Sequence, residues 1–189
     1  GHKISDIIEN KEQYYEPLLK YIDYKFWNRQ LKNNKIIKEL LLKTSILKDI
    51  KYDFCIEFIG ESNSRLLFNF LKRNKILLKD EKQEGYWHLP LFRYFLLEKA
   101  KKHLDIQELS NKAIKIYSSR GEMVYTFYHY INSGKIKEMI DLLKKFELEN
   151  YCSVRMYELL GDIFCLIPDK YYKIYPILYL FKGDYYVIQ

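Results

Sequence analysis

The sequence predicts a mostly α-helical chain with one β-hairpin set between helices, and three observations carry this. Ile76-Leu77-Leu78-Lys79 is a short, β-prone apolar run, and Tyr86-Trp87-His88-Leu89 is an aromatic run that stops at Pro90. Between them the polar stretch from Asp80 to Gly85 closes on glycine, as hairpin turns do. On both sides the apolar residues recur at helical spacing. After Pro90 they fall at Leu91, Phe92, Phe95, Leu96, Ala100 and Leu104. Helices, a hairpin and a further helix in that order are the layout of a winged helix. The expected organisation is a winged-helix-like domain over 1–104, followed by truncated TPR-like α-helical repeats over 105–189.

The elements follow in chain order. Ile4, Ile7 and Ile8 begin a first helical piece. Pro17 interrupts or starts a helix, because proline fits the first turn and little else in one. Leu18, Leu19, Ile22, Phe26 and Trp27 form the next stripe, broken at Asn33-Asn34. The segment 35–48 is amphipathic, with Ile36, Ile37, Leu40, Leu41, Thr44 and Leu47 on one face. A short helix is capped by Asp53, turns Cys55, Phe58 and Ile59 inward and ends at Gly60. The next is capped by Ser62 or Asn63, buries Leu66, Leu67, Phe70 and Leu71, and ends near Asn74.

Behind the hairpin the helical period runs unbroken. Ile106, Leu109, Ala113, Ile116 and Tyr117 mark one helix that stops at Arg120-Gly121. Met123, Val124, Phe127, Tyr128 and Ile131 mark another, which stops at Ser133-Gly134. Ile136, Met139, Ile140, Leu143 and Phe146 mark a third. Cys152–Ile167, closed by Pro168, and Tyr171–Lys182, closed by Gly183, complete the series. Helices of similar length joined by short glycine turns suggest stacked hairpins, as in a solenoid.

Composition sets bounds. The chain has 189 residues, 48% of them hydrophobic and 30% charged, which is a globular composition. Its net charge of +7 is spread over 32 basic and 25 acidic residues, without the blocks of like charge typical of nucleic-acid tails. The three cysteines, Cys55, Cys152 and Cys165, have apolar neighbours and no ligand spacing, so they read as buried thiols in a reducing, cytoplasmic setting. No apolar run reaches the roughly 18 residues of a membrane helix, and no signal peptide is visible. The opening Gly1-His2 reads as a tag remnant on a piece of a longer protein.

No catalytic constellation emerges. There is no phosphate loop, GxSxG, HExxH or calcium-loop pattern, and no metal-ligand spacing. An enzyme is therefore the least expected class. His129, in the aromatic run from Tyr125 to Tyr130, reads as packing, and His103 as a helix C-terminal residue. The helix before the hairpin carries Arg65, Lys72 and Arg73. In a DNA-binding winged helix that element enters the major groove, but Glu61 and Asp80 flank it and few of its residues suit base edges.

Several segments resemble the MalT-like regulators, the ATP-dependent activator of the maltose regulon and its relatives. Leu41-Leu42-Lys43-Thr44-Ser45-Ile46-Leu47 is similar to the family's F-L-x-x-T-S-I/V-L helix. Leu91-Phe92-Arg93-Tyr94-Phe95-Leu96 is similar to its L-F-R-x-F-L signature. Tyr117-Ser118-Ser119-Arg120-Gly121 and Tyr130-Ile131-Asn132-Ser133-Gly134 resemble its first helical hairpins, and Leu166-Ile167-Pro168-Asp169 with Tyr175-Pro176-Ile177-Leu178 resembles its L-P-x-x-x-x-x-x-x-P-x-L motif. The likeness runs in register from about residue 21 to the end.

The resemblance implies a STAND-class signal-transduction ATPase: a nucleotide-binding domain, a winged helix, and a helical-repeat sensor. Some relatives carry a LuxR-type DNA-binding domain, others an antibiotic-regulator-type activator domain. This chain would be the winged helix and the first repeats. It would hold no cofactor itself, with ATP or ADP bound by the parent protein. The implied nucleotide-sensing residues are His88 and Arg93. In the family a histidine immediately precedes Pro-Leu-Phe-Arg or Leu-Phe-Arg. Here Leu89 stands there and His88 is one residue early. A one-residue offset on a strand reverses the face, so either the strand end is bulged or that contact is lacking.

The expected partners are the upstream nucleotide-binding domain and further repeats of the same chain, with an inducer or a protein at the sensor and no membrane. Two alternatives stay open: a DNA-binding winged-helix transcription factor acting through Arg65, Lys72 and Arg73, and a helical-repeat scaffold for protein–protein interaction. At the C-terminal edge, Tyr175, Ile177, Leu178, Leu180 and Phe181 make a helix apolar on more than one side. The expectation is that the parent continues beyond Gln189 and that the isolated chain self-associates through this edge.

Overall fold

The computed structural model describes residues 11–74, 77–79, 86–145, 161 and 163–179. The chain divides into two compact units, Gly1–Asp105 and Ile106–Gln189.

In the first unit the described residues begin with α1 (Lys11–Tyr21), which carries Pro17 in its interior and widens into a π-helical segment, Ile22–Gln30. The expected break at Pro17 is absent. Leu18 lies exposed, and the wider turn brings Trp27 into the core beside a half-buried Phe26. Asn34 then caps α2 (Lys35–Thr44), its side-chain oxygen accepting from the Ile37 amide at 3.1 Å. Ile37, Leu40, Leu41, Leu42 and Thr44 are buried, whereas Ile36 is exposed. The helix is covered on more than one side, by the helices Glu61–Asn74 and Pro90–His103, which draws in Leu42 and leaves Ile36 outside.

Next come α3 (Tyr52–Ile59) and α4 (Glu61–Asn74). Lys51, with extended backbone and no side-chain cap, precedes α3, so Asp53 sits in the first turn rather than at the cap. Gly60 ends α3 at φ 90, a conformation that favours glycine, and its carbonyl accepts from the Ser64 amide and hydroxyl. That sharp junction sets the phase of α4. Ser64, Leu67, Phe68 and Leu71 face in, while Leu66 is exposed and Phe70 only half-buried. The hairpin lies where the apolar runs place it. Strands β1 (Leu77–Lys79) and β2 (Tyr86–His88) pair antiparallel as Leu77 with His88, Leu78 with Trp87 and Lys79 with Tyr86. Its turn lies outside the described residues.

Pro90 opens α5 (Pro90–His103) at its first turn, where a missing N–H costs nothing. Lys101, Lys102 and His103 fill its last turn, complementing the helix dipole. Phe92, Phe95, Leu96 and Ala100 are buried. Phe92 meets Phe26 edge-on at 5.1 Å and Phe95 meets Trp27 at 5.9 Å. Lys99 lies over Trp27 and pairs with Asp23 at 2.7 Å.

The second unit contains α6 (Ile106–Ser119), α7 (Met123–Asn132), α8 (Ile136–Leu143) and α9 (Asp169–Ile174). Gly121 (φ 70) and Gly134 (φ 73) make the turns that follow α6 and α7. Tyr117 stacks between Tyr125 and His129, with ring centroids 5.0 and 5.5 Å away. His129 is fully buried, and Lys135 donates to Asn111 at 2.7 Å, tying the second turn back to α6.

Three expectations change here. Cys165 is exposed, while Cys55 is buried. The last helix does not run on from Tyr171. It stops at Ile174, because Pro176 forces Tyr175 out of helical geometry. Leu178 is fully buried rather than on an open edge. Phe146, Cys152, Leu180, Phe181 and the Gly183-Asp184 turn lie outside the described residues, as do Ile4, Ile7 and Ile8.

Candidate functional site

The junction between the hairpin and α5 faces the end of α2, and it joins two of the sequence's most distinctive segments. Helix α2 ends at Thr44, and Thr44 and the Ser45-Ile46-Leu47 that follow it are all buried. A buried helix C-terminus leaves carbonyls without intrahelical donors. Side chains here supply donors. Thr44 Oγ1 donates to the Leu40 carbonyl at 2.9 Å, and Ser45 Oγ to the Leu42 carbonyl at 2.7 Å. The Leu47 amide closes on the Thr44 carbonyl at 3.1 Å.

Arg93, one turn into α5, serves the carbonyls beyond. Its Nε donates to the Ser45 carbonyl at 3.1 Å and the Leu47 carbonyl at 3.2 Å, and its Nη2 reaches the Ile46 carbonyl at 3.4 Å. A guanidinium suits this place twice over. Its fork matches several carbonyls at once, and its charge opposes the negative end of the α2 dipole. The family resemblance implies a nucleotide-sensing role for Arg93. The structure places its guanidinium on the α2 terminus, a role that a hydroxyl pair closing an apolar helix could have signalled.

His88 is the last residue of β2. Pairing is regular through His88, without a bulge among the paired residues. Leu89 (φ −51, ψ 129) then leaves the strand and its carbonyl accepts the Arg93 amide at 2.9 Å. His88 is thus five residues from Arg93 along a strand end and one helical turn. Its side chain lies outside the described residues.

Arg65, Lys72 and Arg73 are exposed on α4. Arg65 pairs with Glu61 at 3.0 Å, one turn away. Contact with the Tyr52 side chain, and then the Glu61 carboxylate, raises its pKa above the ordinary arginine value. Glu61, Ser62, Arg65, Leu66 and Asn69 line a shallow groove on this face. The structure therefore puts the three basic residues on one helix but gives Arg65 partners of its own. Among the described residues, no group of three His, Cys, Asp or Glu side chains is placed to hold a metal ion, and no helix is long and apolar enough to cross a membrane.

Comparison with known proteins agrees with this geometry. Residues 33–108, from the cap of α2 to the start of α6, match the MalT winged helix domain. Two relatives, both HTH-type transcriptional regulators MalT from strains of Klebsiella pneumoniae, are 24% identical over 110 residues. The match covers 56% of this chain and 12% of each relative, so the chain spans a small part of the curated relatives' length. Residues 33–108 thus match the MalT winged helix domain, and over about half its length the chain is distantly similar to MalT transcriptional regulators.

Proposed function

We propose that this chain is a non-catalytic regulatory segment of a cytoplasmic, multidomain MalT-like transcriptional regulator. The winged helix relays the ATP or ADP state of an upstream nucleotide-binding domain to the helical unit. That unit acts as a TPR-like sensor for an inducer or a protein. The observation that supports this best is the family match over 33–108, which takes in the hairpin, His88 and the clamped α2–α5 junction. Such a relay needs two arrangements with different affinities for each ligand, and His88, at the strand end that leads into the junction, is the phosphate contact that the family resemblance implies. The test is calorimetry on this chain joined to the nucleotide-binding domain of its own reading frame. His88→Ala should weaken ADP binding roughly tenfold, the scale of one hydrogen bond to a charged group. Unchanged ADP affinity would remove His88 from the site, and absence of an upstream nucleotide-binding domain would overturn the relay.

A DNA-reading role for α4 is the second reading, favoured by the exposure of Arg65, Lys72 and Arg73 along one helix. Charge compensation of Arg65 by Glu61 weighs against it.

A further inference from the structure

We propose that Arg93 is a positioning residue that mechanically couples the hairpin–α5 junction to the end of α2. Three observations carry this. The guanidinium donates to three consecutive carbonyls, Ser45, Ile46 and Leu47, each more than 45 residues away in sequence. Those residues form the only covalent path from α2 into α3, so their geometry sets how α3 is delivered. On the other side, the Arg93 amide makes the first helical bond of α5 to Leu89, the residue directly after β2. A displacement at the end of β2 therefore moves the first turn of α5, and with it the fork that holds the 45–47 carbonyls. Lysine could supply the charge but not the fork, since its donors radiate from one point.

The coupling deepens the relay reading, and rests on it only for the signal carried. Its test uses no nucleotide, so the two can fail separately. Hydrogen exchange is measured on the whole 189-residue chain, reading the Ser45 and Leu47 amides, which bond to the Leu41 and Thr44 carbonyls. The Thr126 and Ser133 amides in the second unit serve as internal controls. Arg93→Lys should lower protection at Ser45 and Leu47 roughly tenfold, with the controls unchanged. Pro90→Gly, at an exposed position that loosens the first turn of α5, should also lower protection at Ser45 and Leu47. In the Arg93→Lys background it should have little further effect there. That non-additivity is the signature of coupling, which a merely stabilising residue would not give. Additive effects would overturn the proposal. So would unchanged protection at Ser45 and Leu47, or a loss spread evenly over the first unit.

Discussion

Phe95 carries the largest single-residue expectation. Its ring is nearly buried, meets Trp27 edge-on and stacks on Phe92 at 6.3 Å. Truncation to alanine leaves a cavity that rigid neighbouring rings cannot fill. Phe95→Ala should cost about 3–5 kcal/mol in denaturant melts. A loss under about 1 kcal/mol would mean that the ring is not in the core. Gly60 makes a different case. A Cβ there would meet nothing within 4 Å, so space is not the issue. The cost comes from φ 90 with ψ 155, a backbone region that essentially only glycine adopts, and Gly60→Ala should destabilise by roughly 1–3 kcal/mol through backbone strain alone. A neutral substitution would show that the α3–α4 junction can relax away from this geometry.

At the scale of elements, α4 is the one whose role is most open to test. Its exposed face is basic but partly self-neutralised, because Arg65 is paired with Glu61. Contacts limited to phosphates give affinity without sequence preference and fall steeply with salt. DNA binding measured by gel shift should therefore be weak, indifferent to sequence and lost at moderate salt. A sequence preference that survives salt and disappears when Arg65, Lys72 and Arg73 become alanine would establish the DNA-reading alternative. The elements also show where periodicity is a good guide. Helices α2, α3, α6, α7 and α8 all lie under their apolar stripes, with Asn34, Gly60, Gly121 and Gly134 at the ends the residue types imply. The stripes are less faithful about which flank faces in. Ile36 and Leu66 are outside, while Ser64, Phe68 and six consecutive residues of α7, Val124 to His129, are buried. A helix packed on two or more neighbours buries a wider arc than one stripe, and its neighbours are not local in sequence.

For the molecule as a whole, two measurements bear on the regulatory reading. The chain carries no phosphate-loop sequence, so ATP titrated into it alone should give no micromolar binding by calorimetry. Heat at that affinity would point to a nucleotide site of a different kind. The second concerns association. Leu166, Ile174 and Tyr179 are exposed near the end of the described helical unit. Exposed large apolar groups favour contact with another chain where they adjoin. Light scattering over a concentration series should show the apparent mass rising with concentration, and a strict monomer throughout would count against this edge as a contact surface.

What the sequence determined by itself was mostly local. Turn residues, caps and the 3.6-residue period act within a few positions, so helices, the hairpin runs and the likeness to a regulator family were legible in residue order. What tertiary structure decided was long-range. Arg93 looked like part of a site motif, and only folding brings it onto carbonyls 46 to 48 residues earlier. Trp27 and Leu18 share one apolar stripe, yet Trp27 enters the core while Leu18 stays exposed, and Leu178 is covered where its apolar run suggested an open edge. Hydrogen bonds and burial depend on which groups meet in space, and a one-dimensional pattern does not carry that information.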